Sequence, residues 1–401
     1  MPLKIYPYVI VGGGLAGASA VEGIRELDRN GAILLIGSER HLPYHRPPLS
    51  KKLWTGQKKV EEIMVYDSGF YEEHAVEVVL GSTVTSLDAG QKTITDDRGG
   101  RYQYGKLLLA TGGTPRKLSV PGGDIAGISY YRYLDDYLKL RKETEEGKSA
   151  VVIGGGFIGS EIAAALTENR VKVTMVFPGL FICSRVFPQY LSGAIQRRFI
   201  ERGIRIVSGD KPASFSQSGN RFVTTTRNGE RIESDIVVVG IGISPSVGLA
   251  EGAGIETGNG ILVDEYLQTS HPNVYAAGDN ALFPSQAPGQ RLRVEHWDNA
   301  LAQGKQAGRN MAGGRDPFTY MPYFFSDLFE FGYEAVGEVN SEMETFADWQ
   351  KENDTGVIYY LKDGKVRGAM MCNVWDKVDA ARELIRKNEP VSPEILRGAI
   401  R

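Results

Sequence analysis

The sequence predicts an α/β fold: two strand–turn–helix domains of the Rossmann type, then a smaller α+β domain at the C-terminus. Three observations carry this. Residues 9–24 read VIVGGGLAGASAVEGI, a run of strand formers, a glycine-rich turn and a helical stretch. Residues 151–166 read VVIGGGFIGSEIAAAL, nearly the same string. From Pro322 onward the texture becomes aromatic, with mixed strand and helix signals. The repeat is of two large units, not of a solenoid period.

Bulk properties narrow the function. At 401 residues the chain is too long for one core, which predicts two or three domains. A net charge of −3 argues against a general nucleic-acid binder. No apolar run is long enough to span a bilayer. The first strand begins so near the N-terminus that no signal or transit segment is expected. Two distant cysteines, Cys183 and Cys372, exclude a disulfide framework and a Cys-x-x-Cys pair, and five scattered histidines argue against a metal cluster. These features suit a reducing, cytoplasmic setting.

The elements follow in order. A strand over 8–11 meets the first glycine turn, and a helix runs to about residue 27. A second strand over 32–36 ends in Gly37-Ser38-Glu39. The stretch LPYHRPPLSKKLW, residues 42–54, has prolines that remove donors and break helices, so an ordered loop is expected there. Short strands around 76–87, 91–95 and 101–109 read as an antiparallel excursion closing at KLLLATGGTPR. The second unit has strands from residue 150 and over 172–177, then a meander near 204–239. Strand character returns over 261–281, ending in Gly278-Asp279, and a helix is expected over about 298–311.

Each glycine string has a physical reading. In the first, Gly12 permits the tight turn, Gly14 lets the backbone approach a pyrophosphate and Gly17 lets the helix pack on the strand, with Gly13, Leu15 and Ala16 between them. Glu39 follows the second strand, where a carboxylate can accept both ribose hydroxyls, and Ser38 adjoins it. The second string repeats the spacing with Gly154, Gly156 and Gly159 around Phe157 and Ile158. Two dinucleotide sites in one chain imply transfer between two cofactors, most economically a flavin and a nicotinamide dinucleotide. One residue is out of place in this scheme. Glu161 stands two positions past the last glycine of the second string, where the first has Ser19.

The order GxGxxG, PYHRPPLSK, ATGG, GxGxxGSE, VxGIGI, AAGD resembles the FAD-dependent pyridine-nucleotide reductase superfamily over essentially the whole chain. RPPLSKKLW, RVEHWDNA and FFSDLFEFGYEAVG are similar to its ferredoxin-reductase and apoptosis-inducing-factor branch. The resemblance implies a glutathione-reductase-like fold and a task for Glu161: it pairs with Lys51 of PPLSK, whose ammonium stands near the flavin, and these two are the catalytic pair. It assigns Arg46, Val84, Thr111, Gly112, Arg132, Asp279, Glu295, His296, Trp297 and Phe325 to FAD. It assigns Phe157, Arg185, Gly242, Glu334 and Asn373 to NAD(P)H, with Glu161, Glu295 and His296 near both cofactors.

Three departures qualify the comparison. Gly179 stands where relatives favouring NADH carry an acid, which leaves NADH or NADPH as donor with a lean to NADH. Phe325 replaces the tryptophan of Phe-Trp-Ser-Asp. The C-terminal segment lacks room for the long insertion of animal apoptosis-inducing factor. Cysteine spacing excludes a redox-active disulfide, and Ser50 stands where lone-cysteine peroxide chemistry would need a thiol.

The expected architecture is a discontinuous FAD domain over 1–116 and 246–318, an NAD(P)H domain over 117–245 and a C-terminal domain over 319–401 covering the flavin. The expected function is an NAD(P)H-dependent FAD oxidoreductase passing electrons to a small iron–sulfur carrier or a quinone, as monomer or homodimer. A redox-sensing protein like apoptosis-inducing factor, and an NAD(P)H oxidase, are the alternatives.

Overall fold

A computed structural model describes residues 3–285 and 290–400. The chain divides into two compact units. The first comprises Met1–His45, Val60–Thr114 and Ser244–Pro322; the second comprises Arg46–Lys59, Pro115–Ile243 and Tyr323–Arg401.

The first unit is built on a seven-stranded sheet. Val76–Leu80, Ile33–Gly37, Lys4–Val11, Arg101–Leu109 and Val274–Ala276 lie side by side and parallel. Their central residues, Val9, Ile10, Leu34, Leu35, Leu107 and Leu108, are fully buried, as expected of strands covered on both faces. Thr93–Asp96 and Val84–Asp88 extend the sheet antiparallel. Two features differ from the sequence-based expectation. Val76–Leu80 is not part of an antiparallel excursion but the parallel edge of the main sheet, where Glu77 can stay exposed. The first strand begins at Lys4, whose exposed neighbours hide its start.

Helix Leu15–Leu27 packs on helix Trp297–Met311 almost backbone to backbone. A Cβ on Gly304 would lie 2.2 Å from the Ala16 carbonyl, and one on Gly308 would lie 2.2 Å from that of Ala20.

The second unit holds a five-stranded parallel sheet in the order Arg205–Ser208, Lys172–Phe177, Ser149–Ile153, Ile236–Val239, Ser129–Tyr130. The antiparallel meander expected over 204–239 is confined to Pro212–Ser218, Arg221–Thr226 and Arg231–Ser234. Its flanking runs joined the parallel sheet instead, since IVVV is apolar at every position and is buried on both faces. The C-terminal part forms a five-stranded antiparallel sheet in the order Tyr323–Leu328, Phe331–Gly337, Lys365–Cys372, Thr355–Lys362, Glu344–Lys351, with helix Val378–Lys387 against it. The proline-rich loop belongs partly to this unit and contains a 3-10 turn, Pro47–Ser50. Proline is tolerated there because its missing N–H is one that the first turn leaves unbonded anyway.

Candidate functional site

In the first unit, the turn between Lys4–Val11 and Leu15–Leu27 is closed by contact. Gly12 has φ +128°, and a Cβ on it would lie 2.0 Å from the Ala110 carbonyl oxygen. At Gly14 a Cβ would meet nothing within 4 Å. Gly14 is also the N-cap of the helix, with no side-chain cap and no acid in the first turn. The positive helix end, with Leu15, Ala16 and Gly17 as its first residues, therefore opens onto free space suited to a phosphate. Gly13 packs against Gly37, a Cβ there lying 3.1 Å from the Gly37 Cα. Beyond Gly37, Ser38 is exposed, and the Glu39 carboxylate accepts a hydrogen bond from Tyr44 at 2.5 Å.

The other positions assigned to FAD in this unit gather around two turns. Thr111 Oγ1 donates to the Ser246 carbonyl at 2.6 Å and accepts from Asn280 Nδ2 at 2.9 Å, while Ser246 N–H donates to the Gly112 carbonyl. Asp279 is half-buried beside Asn280, and Arg293 donates to its carbonyl. Glu295 is exposed and paired with Arg293 at 2.6 Å. His296 caps helix Trp297–Met311, and Trp297 Nε1 donates to His45 Nδ1 at 2.9 Å. Burial pushes the His296 imidazole down to about 4, with Asp279 opposing the shift. Val84 lies in the hydrophobic core of the unit. Three buried atoms, Asn280 Oδ1, Asn299 Oδ1 and Gln303 Nε2, have no hydrogen-bond partner among the described residues. Together with the open Gly14 turn, these unfilled polar groups fit a bound dinucleotide.

The second unit repeats the turn. Gly154 has φ +122° with a Cβ position 2.2 Å from the Gly240 carbonyl, and Gly159 packs on Gly154. Gly156 is open and caps helix Phe157–Glu168, again without a side-chain cap or an acid in the first turn. Ile158 is exposed, and half-buried Phe157 leans on Phe324 and Tyr333, with ring centroids 5.5 and 6.5 Å away. Gly242 adopts φ +93° beside open space. Arg185 is exposed, its carbonyl accepting from Ser341 N–H. On the C-terminal sheet, burial raises Glu334, helped by the charge of Asp376, and its Oε2 has no partner among the described residues. Asn373 sits at φ +46°, accepts from Gly332 N–H at 2.9 Å and donates to the Asp354 carbonyl at 3.3 Å.

Glu161 answers the anomaly of the second string. It is buried in the second turn of its helix, and Lys51 Nζ lies 3.2 Å from its Oε1. The 3-10 turn Pro47–Ser50 delivers Lys51 to this place. Its ammonium also lies 3.9 Å from Asp327 Oδ2, 3.4 Å from the Phe325 carbonyl and 4.4 Å from the centroid of the Phe325 ring. Lys51, Glu161 and Phe325 thus stand together. Nearby, Arg46 donates to the Arg132 carbonyl at 2.9 Å and stacks over Tyr133. Sequence reasoning missed two partners: Ser50 Oγ and Ser326 Oγ each donate to a different oxygen of Glu161, both at 2.5 Å. Each adjoins a residue already singled out, which is the only signal the sequence offers.

The two cysteines form no disulfide. Both are free and buried; burial pushes Cys183 up to about 12 and raises Cys372 as well. Among the described residues no group of ligand-type side chains could hold a metal ion, and no helix is long and apolar enough to cross a membrane.

Two open, uncapped glycine turns, each leading from a parallel strand into a helix, define a protein with two dinucleotide-binding folds. Residues 6–304 match the family described as pyridine nucleotide-disulphide oxidoreductase, and the chain belongs to that family. Residues 307–355 match the C-terminal domain of mitochondrion-associated apoptosis-inducing factor. The chain is 34% identical to apoptosis-inducing factor 1, mitochondrial, of Dictyostelium discoideum, covering 97% of this chain and 80% of that protein. It is 31% identical to the ferredoxin–NAD(+) reductase component of the anthranilate 1,2-dioxygenase system of Burkholderia cepacia, over 97% of this chain and 96% of that one. The crystal structure of a covalent putidaredoxin reductase–putidaredoxin complex superimposes with a TM-score of 0.91 at 30% identity, covering 98% of this chain and 95% of that one. The protein is an FAD-dependent NAD(P)H oxidoreductase with two dinucleotide-binding domains and a C-terminal α+β domain.

Proposed function

We propose that the protein takes hydride from NADH or NADPH onto FAD and passes the electrons to a small iron–sulfur protein of the ferredoxin type. The observation that carries this reading is the buried Lys51–Glu161 pair, at 3.2 Å, in a chain whose two cysteines are free and buried. In the first unit, the Gly14 turn would hold the FAD phosphates, Glu39 the adenosine ribose and Asp279 the ribityl chain. In the second, the Gly156 turn would hold the NAD(P)H pyrophosphate, with Phe157 against the nicotinamide. Bound FAD supplies the hydride acceptor and can release electrons singly. Lys51 would set a positive charge where negative charge develops, and Glu161 would stand beside it as the counter-charge. The domain limits this implies are 1–116 with 246–318, 117–245, and 319–401. Gly179 in place of an acid leaves the donor to be decided, with NADH the first choice. A cytoplasmic setting and a monomer or homodimer complete the reading.

Anaerobic stopped-flow reduction with NADH and NADPH in parallel tests it. Rapid bleaching by one nucleotide, followed by fast reoxidation with a ferredoxin, supports the reductase. The match of residues 307–355 favours a second reading, a redox sensor like apoptosis-inducing factor. Slow bleaching with a persistent long-wavelength charge-transfer band would select it. Fast reoxidation by a quinone or by oxygen alone would displace both.

A further inference from the structure

We propose that Ser50 and Ser326 are positioning residues that lock the Glu161 carboxylate in one orientation and leave the Lys51 ammonium adjustable beside it. This rests on the reading above, that the Lys51–Glu161 pair serves the flavin. Three segments far apart in sequence converge on Glu161: the turn carrying Ser50 and Lys51, its own helix, and strand Tyr323–Leu328 carrying Ser326. Ser50, Ser326 and Glu161 are all almost fully buried. One hydroxyl donates to each carboxylate oxygen at 2.5 Å, so rotation about the last bond of the side chain would break both. Lys51 is held more loosely, at 3.2 Å from Glu161, 3.4 Å from the Phe325 carbonyl and 3.9 Å from Asp327. With its carboxylate satisfied by two neutral donors, Glu161 neutralises Lys51 without depending on it for a hydrogen bond. Without the hydroxyls, Lys51 becomes the carboxylate's remaining close donor, and the ammonium is drawn toward it.

The test uses the FAD-loaded protein and the variants Ser50→Ala, Ser326→Ala and both together, with Ser50→Thr and Ser326→Thr to restore the hydroxyl. The flavin midpoint potential is measured by dye equilibration. The limiting rate of anaerobic bleaching and its half-saturating nucleotide concentration are measured by stopped flow. The expected result has three parts. The potential becomes more negative, the limiting rate falls about tenfold per hydroxyl removed, and half-saturation stays within about twofold. Threonine should restore rate and potential. In a Glu161→Gln background the alanine substitutions should add nothing further. Alanine variants that match the parent in potential and rate would overturn the inference, as would an equal drop in the Glu161→Gln background. Because each hydroxyl meets a different oxygen, either alanine variant decides the matter if the other fails to fold. A Glu161→Gln protein indistinguishable from the parent would instead sink the underlying assignment of the pair.

Discussion

Asn280 donates one side-chain amide group to two acceptors, the Leu109 carbonyl at 3.0 Å and Thr111 Oγ1 at 2.9 Å. It thereby ties the end of strand Arg101–Leu109 to the turn that follows Val274–Ala276. Asn280 is fully buried, and replacing it with leucine removes both bonds, leaving Thr111 Oγ1 with its donated bond to Ser246 and the Leu109 carbonyl with Ala277 N–H. The expected loss is about 1–2 kcal/mol, since a net hydrogen bond contributes ~0.5–1.5 kcal/mol. Thermal unfolding followed by flavin fluorescence should show the lower midpoint in Asn280→Leu; an unchanged midpoint would remove the tie from the account.

The Lys51–Glu161 pair makes a different prediction, about coupling. The two side chains are 9% and 5% exposed. Removing one partner leaves the other charge buried, at a cost of about 3–5 kcal/mol, whereas removing both costs less. Lys51→Met and Glu161→Gln should each destabilise more than the combined Lys51→Met/Glu161→Gln protein does. Strictly additive losses in denaturant unfolding would contradict a functional contact between the two.

The glycines of one turn should separate stability from binding. Gly154→Ala meets both a left-handed backbone and the Gly240 carbonyl, and it should cost about 3 kcal/mol or more. Gly156 has extended backbone and open space around its Cβ position, so Gly156→Ala should unfold within about 0.5 kcal/mol of the parent. Its methyl group would nevertheless occupy the space proposed for the pyrophosphate. The nucleotide dissociation constant should rise at least about tenfold. If Gly156→Ala binds nucleotide like the parent, the phosphate does not lie there.

His296 predicts a pH dependence. Its folded-state value is depressed to about 4 from 6.5, because burial disfavours the cation. The unfolded chain therefore binds the proton first as pH falls. The stability that neutral His296 contributes is complete above about pH 6.5 and is lost progressively between there and about pH 4, up to about 3 kcal/mol. His296→Gln should lose less stability than the parent over that window. Parallel thermal midpoints for the two proteins from pH 7 to 4.5 would refute the depressed value.

The two glycine turns were legible because their chemistry is local: spacing, strand formers before and helix formers after. Glu161 was legible as a misfit within a repeated string. Its serine partners were not, because they lie 111 and 165 residues away along the chain, and a hydroxyl near a carboxylate has no pattern of its own. Val76–Leu80 read as antiparallel because a short strand with one exposed polar residue suits a hairpin as well as a sheet edge; its direction is set by Ile33–Gly37 beside it. Arg205–Ser208 misled in the same way.

The sheet of the first unit is stitched from distant parts of the chain, and synthesis must respect that. Leu107–Leu109 takes its last neighbour from Val274–Ala276, and helix Leu15–Leu27 waits for Trp297–Met311. At ribosomal rates of about 5–20 residues per second, roughly 8–33 s separate the emergence of that strand edge from the arrival of its neighbour. During this interval an apolar edge stands open in the nascent chain. Arrest of translation before residue 274 should leave the N-terminal segment sensitive to pulse proteolysis, and release past Met311 should protect it. The newborn polypeptide therefore carries an unpaired strand edge until the chain has grown past residue 276.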